Sequence, residues 1–214
     1  MIPTMNATIC PTVTVDCFEN FQEEIERIAR FAHRIHIDAA DGTMTPNELI
    51  PVDQIWWPGG VRADIHLMCL QPEQYLEHLL ALSPQLVVVH AEAKGDYVPF
   101  ATQLRRHGVE TGVALQQKTP VSFIEPALDM IDHVLVFSGN LGSYGGTADL
   151  ELLDKVRHLK QLKPQLEIGW DGGINDQNAR QLAEAGVEVL NVGGYIQRST
   201  DPEAAYATLV QEVS

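Results

Sequence analysis

The sequence predicts an α/β fold, a closed (β/α)8 or TIM barrel in a single domain covering residues 1–214, and three observations predict it. Short β-branched runs alternate with segments of helical period, so the strands pair in parallel through crossovers. The alternation recurs eight times with no linker, low-complexity tract or composition break between units. The turn after the first run, Cys10-Pro11-Thr12-Val13-Thr14, holds no glycine, whereas an open doubly wound sheet carries its glycine fingerprint there. The barrel is therefore preferred over the open sheet.

The first strand is Ala7 to Val13. A helix over Phe18 to Ala32 follows, with Phe18, Phe21, Ile25, Ile28, Ala29 and Ala32 on one face and Glu23, Glu24, Glu26, Arg27 and Arg30 off it. Arg34 to Asp38 is the second strand. Asn47 to Trp57 is less regular, and Pro51 and Pro58 leave room for a short helix at most, against which Trp56 and Trp57 pack. Val61 to Met68 is the third strand, and Pro72 to Leu82 a helix with proline in its tolerated first turn. Leu86 to His90, nearly all valine, reads as a strand buried on both faces. Tyr97 to Arg106 is a helix closed by Gly108. The second half repeats the theme, with strands over Thr111 to Leu115, His133 to Ser138, Leu166 to Trp170 and Val187 to Val192. Their helices are Val121 to Ile131, interrupted by Pro126, then Ala148 to Leu162, Asp176 to Ala185 and Pro202 to Val213.

Lysine and arginine number 14 against 29 aspartates and glutamates, a formal net charge of −15. No basic stripe exists to bind a phosphate backbone, which excludes nucleic acid as a partner. No apolar run is long enough to span a bilayer, which excludes a membrane. Residues 1–6 lack a basic segment leading into an apolar one, so no secretory signal is expected and the expected location is cytoplasmic. Three cysteines, Cys10, Cys17 and Cys69, without paired metal-ligand spacing, read as reduced and mostly buried.

Barrel chemistry sits where strands end. His36 and Asp38 are two apart in a strand and share a face, while Ile35 and Ile37 suit the opposite, helix-covered face. An imidazole and a carboxylate inside a barrel are costly unless hydrogen-bonded, paired or metal-bound. His66 has the same alternation one strand over, and Asp171 ends a strand opening on the same cleft. Two histidines and two carboxylates suit zinc, iron, manganese or cobalt, although a lone histidine in a strand is more often a hydrogen-bonded core residue. His90 and Glu92 also share a face and read as polar groups behind such ligands. His33, His78, His107, His133 and His158 fall at helix ends or on helix surfaces and read as solvated. Gly142, Gly145 and Gly146 after strand six, Gly172 and Gly173 opening the seventh helix, and Gly193 and Gly194 preceding the eighth could offer backbone N–H groups to a phosphate. Paired glycines also serve turns, but three clusters in neighbouring loops favour the anion. Local N–H dipoles must capture it, because the net charge repels phosphate at long range.

These residues resemble the ribulose-phosphate 3-epimerase family. His36-Ile37-Asp38-Ala39-Ala40-Asp41-Gly42 is similar to its H-x-D-x-M-D-G segment, with Pro46-Asn47 following, and Asp64-Ile65-His66-Leu67-Met68 to its D-x-H-L-M. His90-Ala91-Glu92 resembles its H-x-E, Asp171-Gly172-Gly173-Ile174 its D-G-G-I, and Pro11-Thr12 stands for its Pro-Ser. The resemblance runs in order over essentially the whole chain. It implies an epimerase interconverting D-ribulose 5-phosphate and D-xylulose 5-phosphate, in the pentose phosphate pathway. It further implies one divalent metal ion (Zn, Fe, Mn or Co) on His36, Asp38, His66 and Asp171, with Asp38 and Asp171 doubling as acid and base through a metal-stabilised enediolate. Thr12, His66, Gly142, Gly145, Gly146, Gly172, Gly173, Gly193 and Gly194 are the expected sugar-phosphate contacts, and the assembly is expected to be a homo-oligomer.

Four departures bear on substrate. Ala40 and Phe137 replace family methionines, Gln116-Gln117 replaces Asn-Pro, Gly194 replaces serine, and the N-P-G-F-G-G loop reads Asn140-Leu141-Gly142-Ser143-Tyr144-Gly145-Gly146. The room left at Ala40 motivates a second reading, a six-carbon ketose phosphate such as D-allulose 6-phosphate. A lyase or decarboxylase of the orotidine-phosphate decarboxylase and hexulose-phosphate synthase group calls for a D-x-K-x-x-D pattern, and no lysine stands there. A non-catalytic sugar-phosphate binder has little use for two opposed carboxylates.

Overall fold

The structure, a computed structural model, describes residues 7–214; the reading of residues 1–6 lies outside them. Eight strands, β1 (Thr8–Val13), β2 (Arg34–Ala40), β3 (Arg62–Met68), β4 (Leu86–His90), β5 (Glu110–Leu115), β6 (His133–Phe137), β7 (Glu167–Asp171) and β8 (Val189–Val192), close into one barrel in sequence order. Every pairing is parallel, and β1 meets β8 with Thr8 beside Val189. Closure gives each strand two neighbours and leaves no free edge.

Around it lie α1 (Phe18–Ile28), α2 (Leu76–Leu82), α3 (Tyr97–Arg106), α4 (Leu153–Leu162), α5 (Ala179–Glu184), α6 (Gly194–Gln197) and α7 (Pro202–Glu212). Asp96 and Asp201 cap α3 and α7 by accepting from Val98 N and Ala204 N at 3.1 and 3.0 Å. Two connections are not α-helical. Between β2 and β3 stands a single 3₁₀ turn, Val52–Gln54, and Trp56 packs edge-on against Phe21 of α1 instead of on a helix of its own. Between β5 and β6 the expected helix is two 3₁₀ segments, Val121–Phe123 and Glu125–Met130. Pro126 lacks the N–H an α-turn needs, and its ring crowds the carbonyl four residues back. Phe18, expected on the buried face of α1, is 40% exposed because it starts the helix beyond the sheet's cover.

Period-two alternation divides the side chains. Ile35 and Ile37 point outward into one apolar cluster with Phe21, Ile25 and Ile28 of α1. A second outer cluster joins Ile168 and Trp170 of β7 to Val156 and Leu159 of α4 and Leu182 of α5. Each fully buried side chain of this size contributes about 1.5–3 kcal/mol. Inside the barrel Leu86, Val88, Ala114 and Leu135 form an apolar waist.

Below the waist the filling is ionic. Arg34 Nε donates to Asp64 at 2.8 Å, and its two terminal nitrogens grip both Glu167 oxygens at 2.9 Å. His133 Nδ1 adds 2.7 Å to the same carboxylate. The reading of His133 as solvated is therefore wrong. It opens β6 on the inward face, nearly sealed from solvent, and its ring fits because Gly169 has no Cβ, which would lie 2.5 Å from His133 Nε2. Burial alone would raise the Glu167 pKa, but the hydrogen bonds from His133 and Arg34 hold it well below the ordinary carboxylate range.

Folding thus lowers this group's proton affinity, so Glu167 contributes stability above about pH 4.3 that is lost as pH falls. Glu167→Gln is expected to cost about 1–3 kcal/mol at pH 7 and to flatten the acid decline in stability. Thermal melts across a pH series test this; equal acid slopes in the two proteins would sink it.

Candidate functional site

The carboxyl ends of the strands open on a cavity of about 240 Å³. Thr12, Gly142, Gly145, Gly146, Gly172, Gly173, Gly193 and Gly194 all line it, as do Asp38 and Asp171. His36 and His66 lie beneath its floor, buried behind Asp38. The β2–β3 register sets Asp38 beside His66, which places three of the four candidate ligands on two neighbouring strands.

His66 Nδ1 lies 2.9 Å from Asp38 Oδ1, and His36 Nε2 lies 3.4 Å from the same oxygen and 3.8 Å from Asp171 Oδ2. One donor atom from each of His36, Asp38, His66 and Asp171 falls within 4.8 Å of all the others. Two ligands on opposite sides of one cation are about 4.4 Å apart, so the set fits a cation with shifts of a few tenths of an ångström. His36 Nε2 strengthens that fit, because it is buried without a hydrogen-bond partner. Thr12 Oγ1 and Asn191 Oδ1, at the same mouth, are likewise buried and unpartnered. Each such atom costs about 1–3 kcal/mol unless something bound completes it.

Electrostatics separates the two carboxylates. Burial would raise Asp38, but the close His36 ring and the hydrogen bond with His66 hold it well below its ordinary value. Burial pushes Asp171 up to about 7, and the neighbouring Asp38 charge adds to it. Burial takes His66 down to about 4. Behind it His66 Nε2 meets His90 Nε2 at 2.9 Å, and His90 Nδ1 meets Glu92 at 3.2 Å, so these two stand behind the candidate ligands.

The glycine loops are shaped by contact between backbones. Gly172 and Gly173 have φ of +108° and +71°, and a Cβ on either would lie 2.1 Å from Gly139 N or Ala148 N of the loop after β6. Only glycine fits both demands. Trp170 Nε1–H donates to Gly172 O at 3.0 Å and pins this turn. The pair does not open a helix, since five residues separate Gly173 from α5, whereas Gly194 begins the short α6.

Residues 8–197 match the ribulose-phosphate 3 epimerase family. The chain belongs to this family. Among relatives of the family, a protein named ribulose-phosphate 3-epimerase from Schizosaccharomyces pombe is 28% identical over 98% of this chain and 95% of its own length. One of the same name from Synechocystis is 32% identical over 89% and 87%. Among solved structures, KGPDC from Streptococcus mutans superposes with a TM-score of 0.74 at 11% identity over 97% of both chains, and a 3-hexulose-6-phosphate synthase with 0.71 at 15% over 97% and 100%. At such identities the likeness is one of fold.

Sequence reasoning missed Thr14, Asn191 and Arg198, which line the cavity. Asn191 was open to discovery, because it lies on β8 two residues before Gly193, on the same face; Thr14 lies past the end of its strand and carried no signal. Ala40, read as leaving room, does not line the cavity: it packs with Leu49 and Met68, and Leu141 lies against them.

Gly173→Ala is expected to cost more than the about 1–3 kcal/mol of ordinary overpacking, since backbone must move on both loops. A denaturant midpoint within error of the parent would contradict this.

Proposed function

We propose that the chain is a metal-dependent epimerase that inverts C3 of a ketose phosphate, converting D-ribulose 5-phosphate to D-xylulose 5-phosphate. The observation that carries the reading is the pair of carboxylates, buried Asp38 on β2 and half-buried Asp171 on β7, whose surroundings drive their proton affinities apart on the floor of one cavity. Family membership supports the reaction class.

The C3 proton is α to the C2 ketone, so its removal builds negative charge on oxygen. A divalent cation held by His36, Asp38, His66 and Asp171 would supply Lewis acidity that stabilises this charge. Asp38, kept ionised, takes the C3 proton from one face. Asp171, the more readily protonated, delivers one from the other, and the reverse reaction exchanges their parts. Inversion needs this pair on two strands, because one base returns its proton to the face it came from. Thr12 and the backbone N–H groups of the glycine loops hold the phosphate end, short-range donors inside an acidic chain. A five-carbon substrate is favoured over a six-carbon one because Ala40 does not line the cavity that holds Asp38 and Asp171, so its small side chain adds no room there. Among the described residues no helix is long and apolar enough to cross a membrane.

Asp38→Asn and Asp171→Asn are each expected to lower kcat about 10²- to 10⁴-fold in a coupled epimerisation assay, the loss of one general acid–base group. Chelation should abolish turnover and added metal restore it; a chelated protein or an Asn variant that keeps parental turnover would defeat the two-base metal reading. In a second comparison kcat/KM for ribulose 5-phosphate should exceed that for allulose 6-phosphate by about tenfold or more, about 1.4 kcal/mol. The opposite ranking would restore the six-carbon substrate.

A further inference from the structure

The two oxygens of Asp38 have different neighbours. Oδ1 faces His66 Nδ1 at 2.9 Å and His36 Nε2 at 3.4 Å, on the side of the candidate ligands. Oδ2 accepts a hydrogen bond from the Thr14 hydroxyl at 2.6 Å. Thr14 stands just past β1, where the pairing of Thr12 with His36 and of Val13 with Ile37 brings the next residue beside Asp38. It is buried and lines the same cavity as Asp38. A hydroxyl can donate to a carboxylate and, after rotation, accept from a carboxylic acid, so it suits both states of a group that gains and loses a proton.

Thr14 is itself held from across the barrel mouth. The Tyr144 hydroxyl, 130 residues away on the loop after β6, accepts from Thr14 N–H at 2.7 Å. It donates its own proton to the Glu24 carboxylate on α1. The Tyr144 ring lies against Gly193, where a Cβ would come within 2.6 Å of it. One side chain thus covers the glycine pair after β8 and fixes the backbone of the residue bonded to Asp38.

We propose that Thr14 is a positioning residue that marks Oδ2 as the oxygen of Asp38 which takes the C3 proton and, in the reverse reaction, delivers one, and that Tyr144 holds Thr14 in place. The inference rests on the epimerase reading above. It divides the labour of one carboxylate, with Oδ1 facing His36 and His66, which would hold a cation with it, and Oδ2 bonded to Thr14 for the proton.

The test compares Thr14→Val, Thr14→Ser and Tyr144→Phe with the parent. Thr14→Val should lower kcat about 10- to 100-fold, the effect of a slightly misplaced base, with KM within about threefold. The isotope effect on C3-deuterated substrate should rise, because proton transfer becomes slower. Metal affinity by calorimetry should fall by less than kcat does, since Oδ1 is untouched. Thr14→Ser, which keeps the hydroxyl, should recover most of kcat. Tyr144→Phe should give a smaller loss of kcat and faster hydrogen exchange over residues 140–147. An active parent with an equally active Thr14→Val would overturn the proposal alone, as would loss of metal affinity in step with kcat. A parent that binds metal but turns over neither ketose phosphate would overturn the epimerase reading and this proposal with it.

Discussion

The bidentate grip of Arg34 on Glu167 joins β2 to β7 across the inside of the barrel. These are the strands that carry Asp38 and Asp171, four residues, or about 13 Å, further along each. A planar guanidinium against a planar carboxylate fixes orientation as well as distance. The two acidic groups at the mouth therefore inherit their spacing from an ion pair at the opposite end. Asp64 and His133 complete the network on β3 and β6, so the floor of the barrel ties together strands that no single helix connects. The apolar waist of Leu86, Val88, Ala114 and Leu135 separates this ionic floor from the polar mouth.

Two polar layers in one barrel do different jobs because their partners differ. In the floor Arg34, Glu167 and His133 bond one another, leaving Asp64 Oδ1 as the open acceptor. At the mouth His36 Nε2, Thr12 Oγ1 and Asn191 Oδ1 are buried without partners, the last two on residues that line the cavity. Buried groups left open in this way store free energy that a ligand can recover on binding. The same reasoning accounts for how an acidic chain would hold the anionic substrate proposed for it. The charge of the whole protein is screened within about 8–10 Å, whereas an N–H dipole acts at contact.

Much of this was legible in the sequence wherever a period carried it. Alternation of Ile35 and Ile37 with His36 and Asp38 put the polar pair inside the barrel, and the valine run of β4 marked a strand buried on both faces. Neighbouring strands then brought His66 beside Asp38. What could not be read depends on distances between segments far apart in the chain. Thr14 matters through a contact with Asp38, and Tyr144 through a hydroxyl that reaches α1 and β1 from the loop after β6. His133 was misplaced because its burial depends on the missing Cβ of Gly169, on the next strand. The segment from Val121 to Met130 has a helical apolar pattern, yet Pro126 decides its hydrogen bonding against an α-helix.

The loops after β6 and β7 touch through bare backbone, Gly172 against Ser138 and Gly139 and Gly173 against Thr147 and Ala148. Side chains at an interface can be exchanged one at a time, but main chain cannot be trimmed or enlarged. These two loops are therefore one inherited unit, and a specificity loop transplanted from a relative would have to bring its companion with it. Variation that leaves the partner undisturbed is confined to the tip between Asn140 and Gly145, the stretch where this chain carries its added residue.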